Sequence, residues 1–339
     1  MPCKNGSVLG NQSYPRQAPG MSEQTQTILN AVIPIFGVMG LGVFMRKLNW
    51  LTEEADKSLM RVCVNVLLPC LILDKSLGNA ALSQPSNLLL APLIGFLLTA
   101  VGMWIAFVTC LLHGLTEATQ RRTFALTVGM HNYGYVPLPL ALLLFDQATA
   151  GVLFLHIIGV EMAMWTLGVM LLSGGNLGRD WRKLINAPLI AIALALLFNA
   201  LGWNTSVPQV VGTGVHWLGG CAIPLALTLI GAIMADHIGE FHSANGWRVI
   251  LAAVLLRIGL LPLVFLLVAK FVPMTTEHQR VLVLEAAMPT AVFPVVLAKL
   301  YKGDPATAMR AVLSSAVVSL LTIPLWIKFG MKWVGLYHR

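Results

Sequence analysis

Long apolar runs separated by short polar segments fill most of the chain. Because a helix needs roughly 20 apolar residues to cross the hydrocarbon core of a bilayer, the pattern predicts an all-α polytopic membrane protein with ten transmembrane helices. The predicted spans are 28–48, 58–73, 87–112, 121–145 and 150–172 in the first half, and 184–201, 210–235, 247–271, 278–301 and 306–330 in the second. The second span is short, so we expect it to be tilted or sheltered by other helices.

Two of the spans are interrupted by pairs of prolines. Pro137 and Pro139 lie in the fourth span, and Pro289 and Pro294 lie in the ninth. Proline has no backbone N–H and clashes with the preceding helical turn, so neither span is expected to be one continuous helix. Non-helical backbone at membrane depth occurs where it is buried in protein or lines a cavity. We therefore predict that helices 4 and 9 are broken beside a protein-lined cavity.

The two halves of the chain also align with each other. A shift of 158 positions places Arg122 on Arg280 and Met130 on Met288. Each half holds five predicted spans, and an odd number of spans forces the second half to enter the membrane upside down relative to the first. The sequence therefore predicts two inverted five-helix repeats, with the broken helices 4 and 9 in corresponding positions.

The predicted boundaries divide the chain into five parts. A disordered amino-terminal tail occupies 1–27, the two repeats occupy 28–173 and 184–330, a central loop occupies 174–183, and a short carboxy-terminal tail occupies 331–339. The polar composition of the first tail leaves Met1 and Met21 as alternative starts.

Composition and charge agree with a membrane protein. Of the 339 residues, 57% are hydrophobic and only 11% are charged, whereas soluble domains have about 25% charged residues. The formal charge of +8 comes from basic residues at the rims of the spans, which the positive-inside rule explains without a nucleic-acid partner. Thirteen of the 22 Lys and Arg residues fall on one side and eight on the other, with Arg257 inside a span. The thirteen-residue side is predicted to be cytoplasmic, with both termini outside.

A few ionisable residues lie deep within the predicted spans. Such groups are costly in a membrane, at about 2.5 to 3.5 kcal/mol each on insertion scales, and they often mark functional sites. Glu161 and Arg257 both lie near mid-depth, which is consistent either with a buried ion pair or with a role in substrate binding.

Two further ionisable residues lie beside the helix breaks. Glu285 precedes Pro289 by one helical turn, so it is either a protonatable coupling group or a rim carboxylate that pairs with Arg280. His131 adjoins Asn132 and either titrates near neutrality or is held by the carbonyls that the break frees. The sequence leaves both alternatives open.

Signals for catalysis or for a metal site are absent from the sequence. The chain has five cysteines without paired spacing, and it contains no H-E-x-x-H motif, phosphate-binding loop or serine nucleophile elbow. The cluster 236–242 has metal-type residues but is interpreted as a solvated loop. We therefore expect no enzyme activity, no metal and no cofactor.

Three sequence patterns carry a resemblance to a known family. They are A-A-M-P-T-A-V-F-P-V-V-L-A-K-L-Y at 286–301, Asn132 seven residues before Pro139-Leu140, and A-I-P-L-A-L-T-L-I-G-A at 222–232. With them the chain resembles the auxin efflux carrier family, the plant PIN proteins and their bacterial permease relatives, within the superfamily of bile acid, arsenite and riboflavin transporters. The resemblance extends over essentially the whole chain from Met21.

The resemblance implies an elevator-type transporter. Helices 4 and 9 would cross at their breaks inside a mobile domain of helices 3 to 5 and 8 to 10, while helices 1, 2, 6 and 7 would form the scaffold and the interface of a homodimer. The helix starts at the breaks would carry partial positive charge that suits a carboxylate. The implied substrate-binding residues are Asn132, Tyr133, Pro137, Pro139, Pro289, Thr290 and Pro294, with Tyr135 as a further candidate for the cavity wall.

The favoured function is a secondary carrier in a bacterial inner membrane. Its predicted substrate is a small organic anion such as a carboxylate or an indole acid, with Glu285 and His131 as candidates for proton coupling. A channel-like uncoupled permease and a sodium-coupled symporter are the alternatives, although between Pro289 and Pro294 only Thr290 offers a side-chain oxygen for sodium. A non-transporting sensor and an intramembrane enzyme are disfavoured.

Overall fold

The computed structural model describes residues 21–174, 185–236 and 246–336, with side chains from residue 25 onwards. These residues form α-helices linked by short turns, and the described part of the chain contains no β-strand. In the first half the helices are α1 Met21–Lys47, α2 Glu53–Val62, α3 Leu68–Ser76, α4 Pro85–Thr109, α5 Ala118–Gly129, α6 Pro137–Leu144, α7 Gln147–Ala163 and α8 Val169–Leu172.

The second half has a similar series of helices. They are α9 Ala187–Ala200, α10 Gln209–Asp236, α11 Trp247–Ala253, α12 Leu261–Phe271, α13 Thr276–Ala287, α14 Phe293–Leu300 and α15 Pro305–Val334. π-Helical turns at Cys63–Leu67, Met164–Gly168 and Val254–Leu260 join α2 to α3, α7 to α8 and α11 to α12.

Six helical segments of the described chain are long and apolar enough to cross a membrane. They are Thr25–Lys47, Pro85–His113, Gln147–Leu172, Gln209–Asp236, Trp247–Phe271 and Pro305–Val334. This finding confirms the helical, membrane-spanning class. The other four predicted spans fall on shorter or interrupted helices, namely α2 with α3, α5 with α6, α9, and α13 with α14.

The ends of the first and last helices differ from the predicted span limits. Helix α1 begins at Met21, ahead of the predicted boundary at Ile28, because a helix can continue through polar residues outside the apolar core. Helix α15 continues past Gly330 to Val334, where Gly335 ends it with a left-handed φ of 85°, a conformation that glycine adopts readily. Most of the predicted central loop and of the cluster 236–242 lies outside the described residues.

The helices pack in two groups. In the first group α10 packs against α1 and α3, and α3 packs against α9. The second group consists of α4, α5, α7, α12, α13 and α15, and it meets the first where α1 packs against α15 and α3 against α7. Glycines bring backbones together in both groups, since a Cβ on Gly231 of α10 would lie 1.9 Å from the carbonyl oxygen of Met39 in α1, and one on Gly159 of α7 would lie 1.8 Å from that of Pro92 in α4. Small residues of this kind allow close helix packing where lipid offers no hydrophobic driving force.

We predict that Gly231→Ala destabilises the protein, because the new methyl group would overlap the carbonyl of Met39. The expected cost is about 1–3 kcal/mol, as for other overpacked contacts. Gly220→Ala on the same helix is the matched control, since a Cβ there meets no atom within 4 Å. The midpoint of thermal unfolding in detergent should fall for Gly231→Ala and stay or rise for Gly220→Ala. Equal midpoints for the two variants would contradict the close approach of α1 and α10.

Candidate functional site

Two extended segments interrupt the second group of helices. The first, residues 130–136, lies between α5 and α6, and the second, residues 288–292, lies between α13 and α14. Proline accounts for these limits, because Pro137 and Pro294 each stand in the first turn of the helix that follows, where a missing N–H costs least. Met288 precedes Pro289 and has an extended ψ of 140°, as a residue before proline prefers.

The two extended segments lie side by side and hydrogen bond to each other. The backbone N–H of Asn132 donates to the carbonyl of Pro289 at 2.7 Å, and that of Ala291 donates to the carbonyl of Met130 at 3.0 Å. His131 and Thr290 thus form an isolated antiparallel β-bridge. Two N–H groups and two carbonyls released from the helices thereby satisfy each other, as an apolar environment requires.

Arg257 stabilises the end of α13 at the second extended segment. Its Nε donates to the carbonyl of Met288 at 3.0 Å, and its Nη2 donates to the carbonyl of Glu285 at 3.1 Å. The side chain is fully buried, and its guanidinium carbon lies 5.3 Å from the centre of the Phe265 ring. A cation at the carboxyl end of a helix meets both the free carbonyls and the negative end of the helix dipole.

The predicted ion pair between Glu161 and Arg257 does not form. Glu161 Oε2 instead accepts a hydrogen bond of 2.7 Å from Asn186 Nδ2, and Asn186 also caps the first turn of α9 through the N–H of Leu189. Similar depth in two helices does not imply that their side chains meet, and the other alternative, a role of Glu161 in substrate binding, stays a prediction.

Thr290 does not face a cavity, contrary to its predicted role in substrate binding. Its hydroxyl lies 2.8 Å from Ser315 Oγ, and its backbone N–H donates to the same oxygen at 3.2 Å. Only 2% of the residue is exposed. Thr290 and Ser315 therefore anchor the second extended segment to α15.

A cavity of about 830 Å³ lies beside the first extended segment and between the two groups of helices. Most of its wall is apolar, with residues such as Leu68, Phe154 and Ile192. Its polar and charged wall residues are Asn132, Tyr133, Tyr135, Glu161 and Asn186, together with Asp56, Lys57 and Arg61. The size and the few polar groups are typical of sites for small organic molecules.

The prolines that mark the helix breaks shape this site without lining it. Pro137, Pro139, Pro289 and Pro294 are all buried in protein and are not part of the cavity wall. Proline has no N–H to donate, and the amide of Leu138 donates to the carbonyl of Gly134 within the chain. The proline side chains therefore fix where α6 and α14 begin, and substrate binding by the backbone around them stays a prediction.

Glu285 and His131 form a buried pair behind the cavity. Glu285 Oε2 lies 3.1 Å from His131 Nε2, and both residues are fully buried. The alternative in which Glu285 is a solvated rim group that pairs with Arg280 is wrong, since Arg280 donates to Asp146 at 2.8 Å. The freed carbonyls do not hold His131, because they go to Arg257 and Ala291.

Asp146 lies outside the predicted spans, at the amino-terminal cap of α7, and accepts a hydrogen bond from Arg280 near the start of α13. Partial burial tends to raise the pKa of the Asp146 carboxyl, but hydrogen bonds from Thr149 and the guanidinium of Arg280 outweigh it and lower the pKa. A lowered pKa means that this carboxylate stabilises the fold above the ordinary carboxyl range and loses that contribution as the pH falls.

Comparisons with known proteins give matches along most of the chain. Residues 27–180 and 176–327 match the model of a family described as membrane transport protein. An uncharacterized transporter of Methanothermobacter thermautotrophicus is 29% identical, over 89% of this chain and 97% of its own. Auxin efflux carrier component 8 of Arabidopsis thaliana is 30% identical over 42% of this chain and 40% of its own, and the transporter YfdV of Escherichia coli is 20% identical over 87% and 95%.

We predict that Arg257→Gln costs about 3–5 kcal/mol of stability, the usual effect of removing one member of a buried charged group. Its effect should add to that of Glu161→Gln within about 0.5 kcal/mol, because residues without a shared partner act independently. It should not add to that of Glu285→Gln, since the buried guanidinium and the buried carboxyl group interact electrostatically. Unfolding free energies of the single and double variants test this, and a coupling above about 1 kcal/mol between Glu161 and Arg257 would contradict the assignment.

Proposed function

Because the chain belongs to the membrane transport protein family, to which the auxin efflux carriers are related, we propose that it is a secondary carrier for a small organic anion. The substrate would be a carboxylate or an indole acid bound where the two extended segments meet. The matched family and the named relatives are transporters, so transport rather than catalysis is the activity of this chain.

The proposed architecture has ten transmembrane helices in two inverted repeats. Six segments are long enough to span on their own. The remaining four would be α2 with α3, α9, and the two helices that the extended segments interrupt, α5 with α6 and α13 with α14. Hydrogen bonds between those two segments at equivalent places in each half support the reading of helices 4 and 9 as a crossing pair.

The start of two helices at the cavity is the observation that carries the anion proposal. Tyr135 and Leu138 flank the start of α6, Val292 is the cap of α14, and all three line the cavity. The amino-terminal end of a helix carries about half a positive charge. Both helices have eight residues. Because both begin at the cavity, their positive ends would face a bound carboxylate.

Side chains of the cavity support the same substrate class. The side-chain amide of Asn132 is a hydrogen-bond donor in the wall, and the exposed Lys57 and Arg61 lie at its mouth. Glu161 adds an acceptor, which suits a substrate that carries an N–H or O–H group besides its carboxylate. An indole acid has both features.

An elevator movement is supported by the position of the cavity. One wall comes from the group that contains α3, α9 and α10, and the other comes from α7 and the extended segments. Displacement of one group against the other would carry the substrate across while the hydrogen bonds between the extended segments stay intact. We further propose that the protein forms a homodimer through the first group of helices. It would lie in a bacterial inner membrane with both termini outside.

Counterflow of labelled carboxylates in proteoliposomes tests the function. Asn132→Ala should weaken substrate binding about ten- to a hundredfold, because a hydrogen bond to a charged group is worth about 1.5–3 kcal/mol. Asn65→Ala is the control, since the Asn65 amide donates only to the Arg61 carbonyl of its own helix. Unchanged counterflow in Asn132→Ala would remove the residue from the site.

The same assay separates a carrier from a channel. A carrier that alternates between two states shows saturation with substrate and accelerated exchange when substrate is present on both sides. Flux that rises linearly with concentration would favour the uncoupled permease, and a requirement for sodium on one side would favour the symporter.

A further inference from the structure

Three histidines and one glutamate form a continuous file through the second group of helices. The ring centres of His131 and His156 are 6.1 Å apart, and those of His156 and His278 are 6.0 Å apart. Glu285 lies 3.1 Å from His131 at the other end. All four side chains are fully buried, and none of their ring nitrogens or carboxylate oxygens has a hydrogen-bond partner with good geometry in the described chain.

Burying these four side chains without hydrogen-bond partners lowers the stability of the fold, which suggests that they are kept for a function. Each unpaired polar group buried in protein costs about 1–3 kcal/mol, and apolar residues would fill the same space at no such cost. Chains of Asp, Glu and His inside membrane proteins are typical of proton relays. With ring centres about 6 Å apart, nitrogens on facing ring edges would lie roughly 4 Å apart, so small ring rotations bring them to hydrogen-bond distance.

The file leads away from the cavity toward the opposite end of the protein. His278 lies in the first turn of α13, two residues before Arg280, whose partner Asp146 caps the start of α7. Glu161 of the cavity lies fourteen residues further along α7, or roughly 21 Å at 1.5 Å per residue. The mouth of the cavity and the outer end of the file therefore lie at opposite ends of α7.

The inner end of the file reaches the substrate site. The ring of Tyr133, which lines the cavity, lies 6.3 Å from that of His131. Arg257 also faces this end, through its bond to the backbone of Glu285. Proton transfer to Glu285 would thus change the charge directly behind the extended segments.

We propose that His278, His156 and His131 conduct protons to Glu285 from the side of the membrane opposite the cavity mouth. In each step an imidazole accepts a proton at one ring nitrogen and releases one from the other. Glu285 accepts the proton from His131 and releases it to the cavity side when the substrate leaves, so that it is ready to accept the next one. This proposal rests on the proposed function as a carrier and names the proton as its coupling ion.

Proton uptake into proteoliposomes tests the file directly. Vesicles that contain a pH-sensitive dye and the purified protein are given an interior-negative potassium diffusion potential, with and without an external carboxylate. Wild type should take up protons faster than empty vesicles. His156→Gln and His278→Gln should lower this rate about a hundredfold, the lower end of what a proton-transfer group contributes.

Two controls separate a relay from a structural role. His216→Gln makes the same change at an exposed histidine and should leave proton uptake unchanged. Carboxylate counterflow at equal pH on both sides needs no net proton movement, so folded His156→Gln and His278→Gln should retain it.

The outcomes distinguish this proposal from the function on which it rests. The relay is overturned if wild type takes up protons no faster than empty vesicles do. It is also overturned if the His156 and His278 variants take up protons as fast as wild type. Absence of counterflow from wild type with every carboxylate instead overturns the anion carrier. If the His156 and His278 variants lose proton uptake but retain counterflow, both the relay and the anion carrier are supported.

Discussion

Two backbone hydrogen bonds between the extended segments are the interaction on which the site depends. In an apolar environment each unpaired backbone group costs several kcal/mol, so a helix can be interrupted only where its freed groups find partners. Asn132 with Pro289 and Ala291 with Met130 provide those partners reciprocally. Neither interruption would be stable alone, which explains why both halves of the chain carry one.

The surrounding contacts follow from the same requirement. Arg257 binds the carbonyls at the end of α13, and Ser315 binds the amide and hydroxyl of Thr290. These bonds hold the second extended segment from behind and leave its other side against the cavity. Asn132, a polar side chain that a substrate would meet, therefore projects from a residue whose own backbone N–H is bonded across the pair.

Much of the fold follows from sequence because length and proline position have direct physical consequences. The apolar runs predicted the six segments that are long enough to cross a membrane, and Pro137 and Pro294 stand where helices begin. Side-chain partners could not be predicted in the same way. The direction of Thr290 and the separate partners of Glu161 and Arg257 depend on helix rotation, which apolar spacing within one span does not specify.

Substrate protection of a single cysteine tests the central claim most directly. In a protein without its five natural cysteines, Val292→Cys places a thiol on the cavity wall beside the second extended segment, and Ser83→Cys places one on the exposed turn between α3 and α4. A transported carboxylate should slow maleimide labelling at position 292 and leave position 83 unaffected, and the protection should disappear with Asn132→Ala. Equal labelling at position 292 with and without a transported carboxylate would contradict binding at the paired segments.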